Sequence, residues 1–388
     1  MDGRFLISTA TLALAEALAS CSTANQILSI QLLQGSLPPQ IVEAFRKSLQ
    51  STSLGSSILK FTPEAQLQLI FERLQHWQQL SEPSAAQGAS SPLNHRRSSG
   101  AIADLVTLGD YWLATAIRQG LLQPLEVNSL QHWVSLPSRW QALGRRDRQT
   151  GQPDSQGAVF AAPYRWGTTV IAYRRDKFQS LGWTPSDWSD LWRPELQGKI
   201  SLLDQAREVI GFTLKQLGQS YNTLDLSAVP GLKSRLQSLN RQVKFYRSTD
   251  YLQPLLLGDT WLAVGWSADV LAALPLNPQI AGVIPLSGTA LWADLWVRPH
   301  GASPSDLVNP WIDFCWQPAI ATQLSLLSKA TSPIVNGLNP EVLPTALRTN
   351  PLLYPAAAIL ERSEFLEPLP ASALAQYQSF WQQMRTVT

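Results

Sequence analysis

Residues 199–218 read KISLLDQAREVIGFTLKQLG, and the way this stretch divides decides the fold. Lys199 to Leu203 has the length and apolar character of a short buried strand. Asp204 then offers a helix N-cap, a helix runs from Gln205, and Gly218 suits the left-handed position that closes it. A strand that feeds directly into a helix is half of a βα unit, and the same alternation extends in both directions. Gln26 to Leu33 reads as a strand, and Pro38-Pro39 opens a helix through Ser48, with proline in the first turn where its missing N–H costs nothing. Ile58 to Thr62 is a second strand. From Pro63, apolar residues at Leu67, Ile70, Phe71, Leu74 and Trp77 trace a helical stripe. Residues 101–108 (AIADLVTL) form a strand, followed by a helix from Tyr111 to Gln119 with Asp110 as N-cap and Gly120 past its end. Val159 to Tyr173 is extended, with one break at Pro163, and the pattern resumes at Asp190-Leu191-Trp192. Leu262 to Trp266 and Ala290 to Val297 are strands, and 303–328 is helical. Residues 81–100 form a flexible insert and 121–158 are irregular. Long helices among short buried strands predict an α/β protein and exclude a β-sandwich or a helical bundle.

Composition narrows the function. At 388 residues with 45% hydrophobic and 15% charged residues, the chain is long enough for two or three domains or one two-lobed unit. A net charge of +2 is too small to imply a nucleic-acid partner. Fifteen tryptophans favour an aromatic ligand surface, although Trp also fills cores. Arg4, the apolar run Phe5–Leu18 and the ending Leu18-Ala19-Ser20-Cys21 form a lipoprotein signal-peptide pattern over residues 1–20, with Cys21 as the lipidated residue. Arg4-Phe5-Leu6 also looks like the end of a twin-arginine motif whose arginines would sit where Asp2 and Gly3 stand, as expected if the start Met is misassigned. Cys315, in an apolar helical run, reads as a buried small hydrophobe.

No catalytic signature stands out. Gly265-Trp266-Ser267-Ala268-Asp269 lacks the last glycine of a nucleophile elbow, and the four histidines have no metal-ligand spacing. No cofactor is expected. Binding positions are easier to find. In TALWADLWVRP (289–299), Trp292 and Asp294 share one face of a strand, so an indole and a carboxylate stand side by side, a pairing that suits an organic ammonium ion. The alternative is a core Trp beside an Asp that closes a local ion pair. Glu208 follows a strand, where α/β ligands gather, and Asp110, Tyr111 and Trp266 also sit just past strand ends. Arg207 stands as an ion-pair partner for a neighbouring carboxylate.

The runs LLDQAREVIGFTLKQLG, DWSDLWRPELQGKI, PYRWGTTVIAY and WADLWVRP together resemble the spermidine/putrescine-binding proteins of bacterial ABC importers, from about Ile30 to the C-terminal region. The resemblance implies a two-lobed periplasmic-binding-protein (Venus-flytrap) fold, type II-like, with the ligand in a cleft between lobes. It implies that Tyr111, Trp266 and Trp292 are cleft aromatics and that Glu208 and Asp294 meet ligand ammonium groups. The family carries a second carboxylate where this chain has Gln205, and a serine where it has Gly109 beside Asp110, so Gln205 and Asp110 are weaker candidates. Aromatic positions of the family are Leu33 and Ser36 here.

The expected partition places residues 25–168 and 295–388 in lobe one and 169–294 in lobe two. The expected protein is a monomeric, lipid-anchored periplasmic receptor that delivers a polyamine-like cation to an ABC permease and its ATPase. A receptor of this fold for another solute, an envelope scaffold derived from it, and an enzyme on the same fold are the alternatives.

Overall fold

The computed structural model describes residues 26–81 and 101–386. Cys21 and nearly all of the 81–100 insert lie outside the described residues. The apolar run expected to be extended forms one strand of 14 residues, Ala161–Arg174, and the sheet is organised around it. Its first half, to Thr168, pairs antiparallel with Leu291–Val297 of the strand Ala290–Pro299. Its second half runs on between Leu262–Trp266 and Ile280–Val283, antiparallel to both.

Beyond Ala290–Pro299 the sheet continues through Leu105–Gly109, Ile27–Leu33 and Ile58–Glu64. Beyond Leu262–Trp266 it continues through Ile200–Leu202 and Val243–Tyr246. The neighbours within each outer set are parallel, which requires crossover connections and places helices on the sheet faces. The expected mixed α/β class is what forms.

Burial follows the strand alternation. Ile171 points into a cluster with Trp188, Ile200, Ile210, Phe212 and Leu262. Its neighbours Val170 and Ala172 point the other way, into a cluster with Leu255, Val270, Ile280 and Val335. The first half of the long strand belongs to a third cluster, where Tyr164 stacks on Trp296 at 4.0 Å between ring centroids, near Trp311 and Trp316. Cys315 is buried there, as expected.

The C-terminal region departs from the expected partition. Val335, Leu347 and Leu353 pack in the cluster around Val170, and Tyr377 and Met384 pack in the cluster around Ile171. In the helix Ala371–Arg385, Tyr377, Phe380, Trp381 and Met384 lie three to four residues apart and form one apolar face. That face needs a complementary groove, and it sits against the helices Ala206–Gln216 and Leu232–Gln242. Most of the chain after about residue 335 therefore packs with the second half of the sheet, while Leu360 and Phe365 still meet the first.

Local differences have local causes. Pro63 continues the strand Ile58–Glu64 instead of opening a helix; this is the edge strand, where a missing N–H is tolerated, and the helix starts at Leu67. Asp190-Leu191-Trp192 ends a 3-10 turn, Trp188–Trp192, capped by Asp187. The region 121–158 contains a short helix, Ser138–Gly144. Asp204 and Asp110 do not cap their helices. Asp204 bonds Arg385 at 2.6 Å and leaves Gln205 as the N-cap residue, and Gly109 takes that place before Asp110.

Met384→Ala should lower unfolding stability by about 2–5 kcal/mol, the range for truncating a buried Met. Hydrogen exchange should rise in 206–216 and 232–242 and stay unchanged in 27–33, which would fail if the C-terminal helix served the first half.

Candidate functional site

Three strands, one from the first parallel set and two from the second, end at one place. Leu105–Gly109 leads into Asp110, Ile200–Leu202 leads toward Gln205, and Leu262–Trp266 ends on Trp266. They converge where the long strand passes from one half of the sheet to the other. Trp266 lies opposite Thr169, Gly109 opposite Asp294, and Asp294 opposite Arg165.

Glu208 stands in the first turn of the helix Ala206–Gln216 and is buried at 4% exposure. Its Oε2 accepts a hydrogen bond from the Thr169 hydroxyl at 3.0 Å. Burial pushes its pKa up to about 7, against the pull of Thr169 and Arg207, and the charge of Asp110 adds to the rise. Asp110 accepts the Ala293 N–H at 3.0 Å, a tie across the sheet that explains why it does not cap its own helix. Loss of hydration also pushes Asp110 up to about 7, with Arg146 opposing and Asp294 reinforcing. The two carboxylates thus interact, although one belongs to each half of the molecule.

The aromatic candidates gather around the same strand. The Trp266 N–H donates to the Tyr251 hydroxyl at 3.0 Å, and that hydroxyl donates to Asp269 at 2.7 Å. The Tyr251 ring fits because residue 265 is glycine: a Cβ there would meet the ring at 1.8 Å. Trp292 lies across Gly167, where a Cβ would strike its ring at 2.4 Å, and its Nε1 donates to the Thr168 carbonyl at 3.4 Å. Tyr111 is half exposed and meets Trp112 edge-on at 5.6 Å. Gln205 is partly exposed at the head of the Glu208 helix, and its side chain makes no capping bond. Ser267 accepts the buried Thr168 N–H at 3.1 Å, so the partial elbow motif has a structural role.

Asp294 does not stand open. The Arg165 Nε donates to its Oδ2 at 2.6 Å, with the two side chains only 7% and 3% exposed. Burial pushes the Asp294 carboxyl up, and the charge and hydrogen bond of the Arg165 guanidinium oppose this. The guanidinium carbon also lies 5.8 Å from the centre of the Trp292 ring. The indole and carboxylate share one face as the strand alternation requires, and a side chain of the protein is already between them. Arg207 departs from its expected role, bonding the Asn222 side chain at 2.9 Å and the Glu367 carbonyl at 3.1 Å, over the Tyr377 ring.

Sequence reasoning missed Arg165, Thr169, Tyr251 and Asp269. Only Arg165 carries a signal, as the one charged residue in VFAAPYRWGTTVIAY. Two surface grooves of about 480 and 570 Å³, one beside Lys215 and Glu364 and one beside Tyr173 and Trp183, contain none of the expected residues. Among the described residues no cluster of three or more His, Cys, Asp or Glu is arranged to hold a metal ion, and no helix is long and apolar enough to cross a membrane.

Comparison with known proteins fits this architecture. The spermidine/putrescine-binding periplasmic protein 1 of Haemophilus influenzae is 24% identical over 326 residues, covering 84% of each chain. The putrescine-binding periplasmic protein PotF of Escherichia coli is 27% identical over 278 residues, 66% of this chain and 71% of that one. The solved structure of the spermidine/putrescine ABC transporter substrate-binding protein PotD from Streptococcus pneumoniae superposes with a TM-score of 0.76 at 20% identity. It covers 93% of this chain and 99% of that one, which makes the fold the same two-lobed architecture. A family model described as bacterial extracellular solute-binding protein matches residues 100–362. That match spans more than half of the chain, and the protein belongs to the bacterial extracellular solute-binding family, whose members bind solutes and are not enzymes.

Proposed function

We propose that this protein is the solute receptor of an ABC importer and captures an organic ammonium compound of the polyamine-like class in the cleft between its lobes. The observation that carries this reading is the pair Glu208 and Asp110. Both carboxylates are buried, the charge of Asp110 raises the pKa of Glu208, and among the described residues neither has a cation in direct contact; Trp266 and Trp292 stand on the neighbouring strands. Leaving such carboxylates uncompensated is costly, and an ammonium guest between them would restore the balance. The relatives named for spermidine and putrescine support the same class.

In this reading one lobe holds residues 25–168 and about 291–334, and the other holds residues 169–290 with most of the chain after about 335. The guest touches both, so it shifts the population toward the closed form that a permease recognises. Glu208 and Asp110 supply charge, Tyr111, Trp266 and Trp292 supply aromatic walls, and Gln205 lines the entrance. The chain acts as a monomer, held at the periplasmic membrane surface by lipid on Cys21.

Glu208→Gln should weaken putrescine binding by more than about tenfold in calorimetric titration, because a charge-assisted bond is worth about 1.5–3 kcal/mol. Unchanged affinity would remove Glu208 from the site.

The pH dependence has a definite sign. Glu208 and Asp110 rise from ordinary values of 4.5 and 3.8 to about 7. The share of stability they govern in the empty protein is fully present below the ordinary values and is lost as the pH climbs through about 7. Amine affinity runs the opposite way, since the guest needs the ionised forms. Melting of the empty protein should fall between about pH 5 and pH 8 while affinity rises, with protons released on binding. Affinity that is flat over this range would contradict the assignment.

Cys21→Ser should move the expressed protein from the membrane fraction to the soluble fraction. Wild-type protein whose Cys21 proves unacylated by mass spectrometry would dismiss the anchor.

A further inference from the structure

The strand Ala290–Pro299 places an indole and a carboxylate side by side, the composition of an ammonium site, and that site has an occupant. Arg165 stands directly opposite Asp294 in the sheet. Its guanidinium bonds the carboxylate at 2.6 Å, donates to the Ser328 carbonyl at 3.4 Å and lies over the Trp292 face. These are the contacts an ammonium guest would make there: a charge-assisted hydrogen bond and a cation–π contact together. Gly167, opposite Trp292, lets the indole lie across the strand and close the site from that side.

We infer that Arg165 is a tethered occupant of the Trp292–Asp294 cation site and acts as a specificity determinant, so that the cleft recognises one ammonium group of its guest, at Glu208 and Asp110, and gains nothing from a second. A guest amine entering the Trp292 site would have to displace a buried guanidinium and leave it unpaired, which costs more than the entering amine recovers. It would also bring two like charges together in a poorly hydrated site. The remaining charge on that side has its own partner, since Asp269 accepts the Tyr251 hydroxyl. This inference rests on the receptor reading above and refines it from organic cations in general to guests with one recognised ammonium end.

The test is calorimetric titration of the mature wild type, Arg165→Gln and Arg165→Leu/Asp294→Asn with n-butylamine and with putrescine. The wild type should bind the two amines within about threefold of each other. Arg165→Gln exposes the carboxylate and should gain more than about tenfold for putrescine, with butylamine unchanged, because a new charge-assisted bond becomes available. Wild-type preference for putrescine by more than about tenfold, or no gain in a folded Arg165→Gln, overturns the inference. Should Arg165→Gln fail to fold, the charge-neutral double variant decides. Wild-type selectivity in the double variant supports the inference, and selective loss of putrescine binding overturns it by showing that the guest uses Asp294. Absence of binding of either amine to any form, the wild type included, removes the amine-receptor reading itself and this inference with it.

Discussion

One strand must satisfy two sheets. Ala161–Arg174 gives its first half to a ladder with Ala290–Pro299 and its second half to ladders on both edges, and its residues from Ala161 to Ala172 are all buried. A strand with no free edge and no free face has to be almost wholly apolar. Its two irregularities coincide. The pairing register shifts between Asp294 and Leu295, so Arg165 faces Asp294, Pro163 faces Leu295, and Tyr164 is the extra residue. Such a bulge re-aims side chains, and it sits next to a proline that has no N–H to give to the ladder. The Pro163 carbonyl is taken by the Trp316 indole at 2.7 Å, so the interruption is hydrogen-bonded. The ends of the parallel strands meet this segment because both halves of the sheet are built outward from it.

The electrostatics of the cleft follow from that convergence. Three carboxylates come together where water is scarce, and they are stabilised unequally. Asp294 has a guanidinium in contact; Asp110 has a backbone N–H and Glu208 a hydroxyl. Neutral donors offset only part of the hydration lost by a charge, which is why the latter two titrate near pH 7. In the proposed function Asp110 and Glu208 belong to opposite lobes, so their repulsion acts against closure of an empty cleft. A cation between them turns that repulsion into attraction, so charge neutralisation and lobe closure are one event in the proposed function.

The architecture was legible where the signal is local. The strand-to-helix step at 199–218, the strand Leu262–Trp266 and the extended run after Val159 are set by apolar periodicity and punctuating glycines, and all form close to the expected bounds. What stayed hidden depends on partners distant in sequence. Asp110 and Asp204 have the appearance of N-caps, yet one bonds residue 293 and the other residue 385. Each carboxylate is taken by that distant partner instead of by its own helix. The C-terminal helix shows its apolar face in sequence but not which groove receives it.

The motif Trp292-Ala293-Asp294 shows where the boundary between legible and hidden lies. Alternation along a strand settles which side chains share a face, and it did so correctly here. The meaning of that face is set by the adjoining strand, where the residues opposite Trp292 and Asp294 are Gly167 and Arg165. A glycine opposite an indole leaves room for the ring to lie flat across the sheet, and an arginine opposite an aspartate fills the space with charge. Had residue 165 been apolar like the rest of its strand, the same tripeptide would present an unpaired buried carboxylate, which only a bound cation could compensate. The difference between an open ammonium site and a closed one is therefore a single cross-strand neighbour, 129 residues away in sequence.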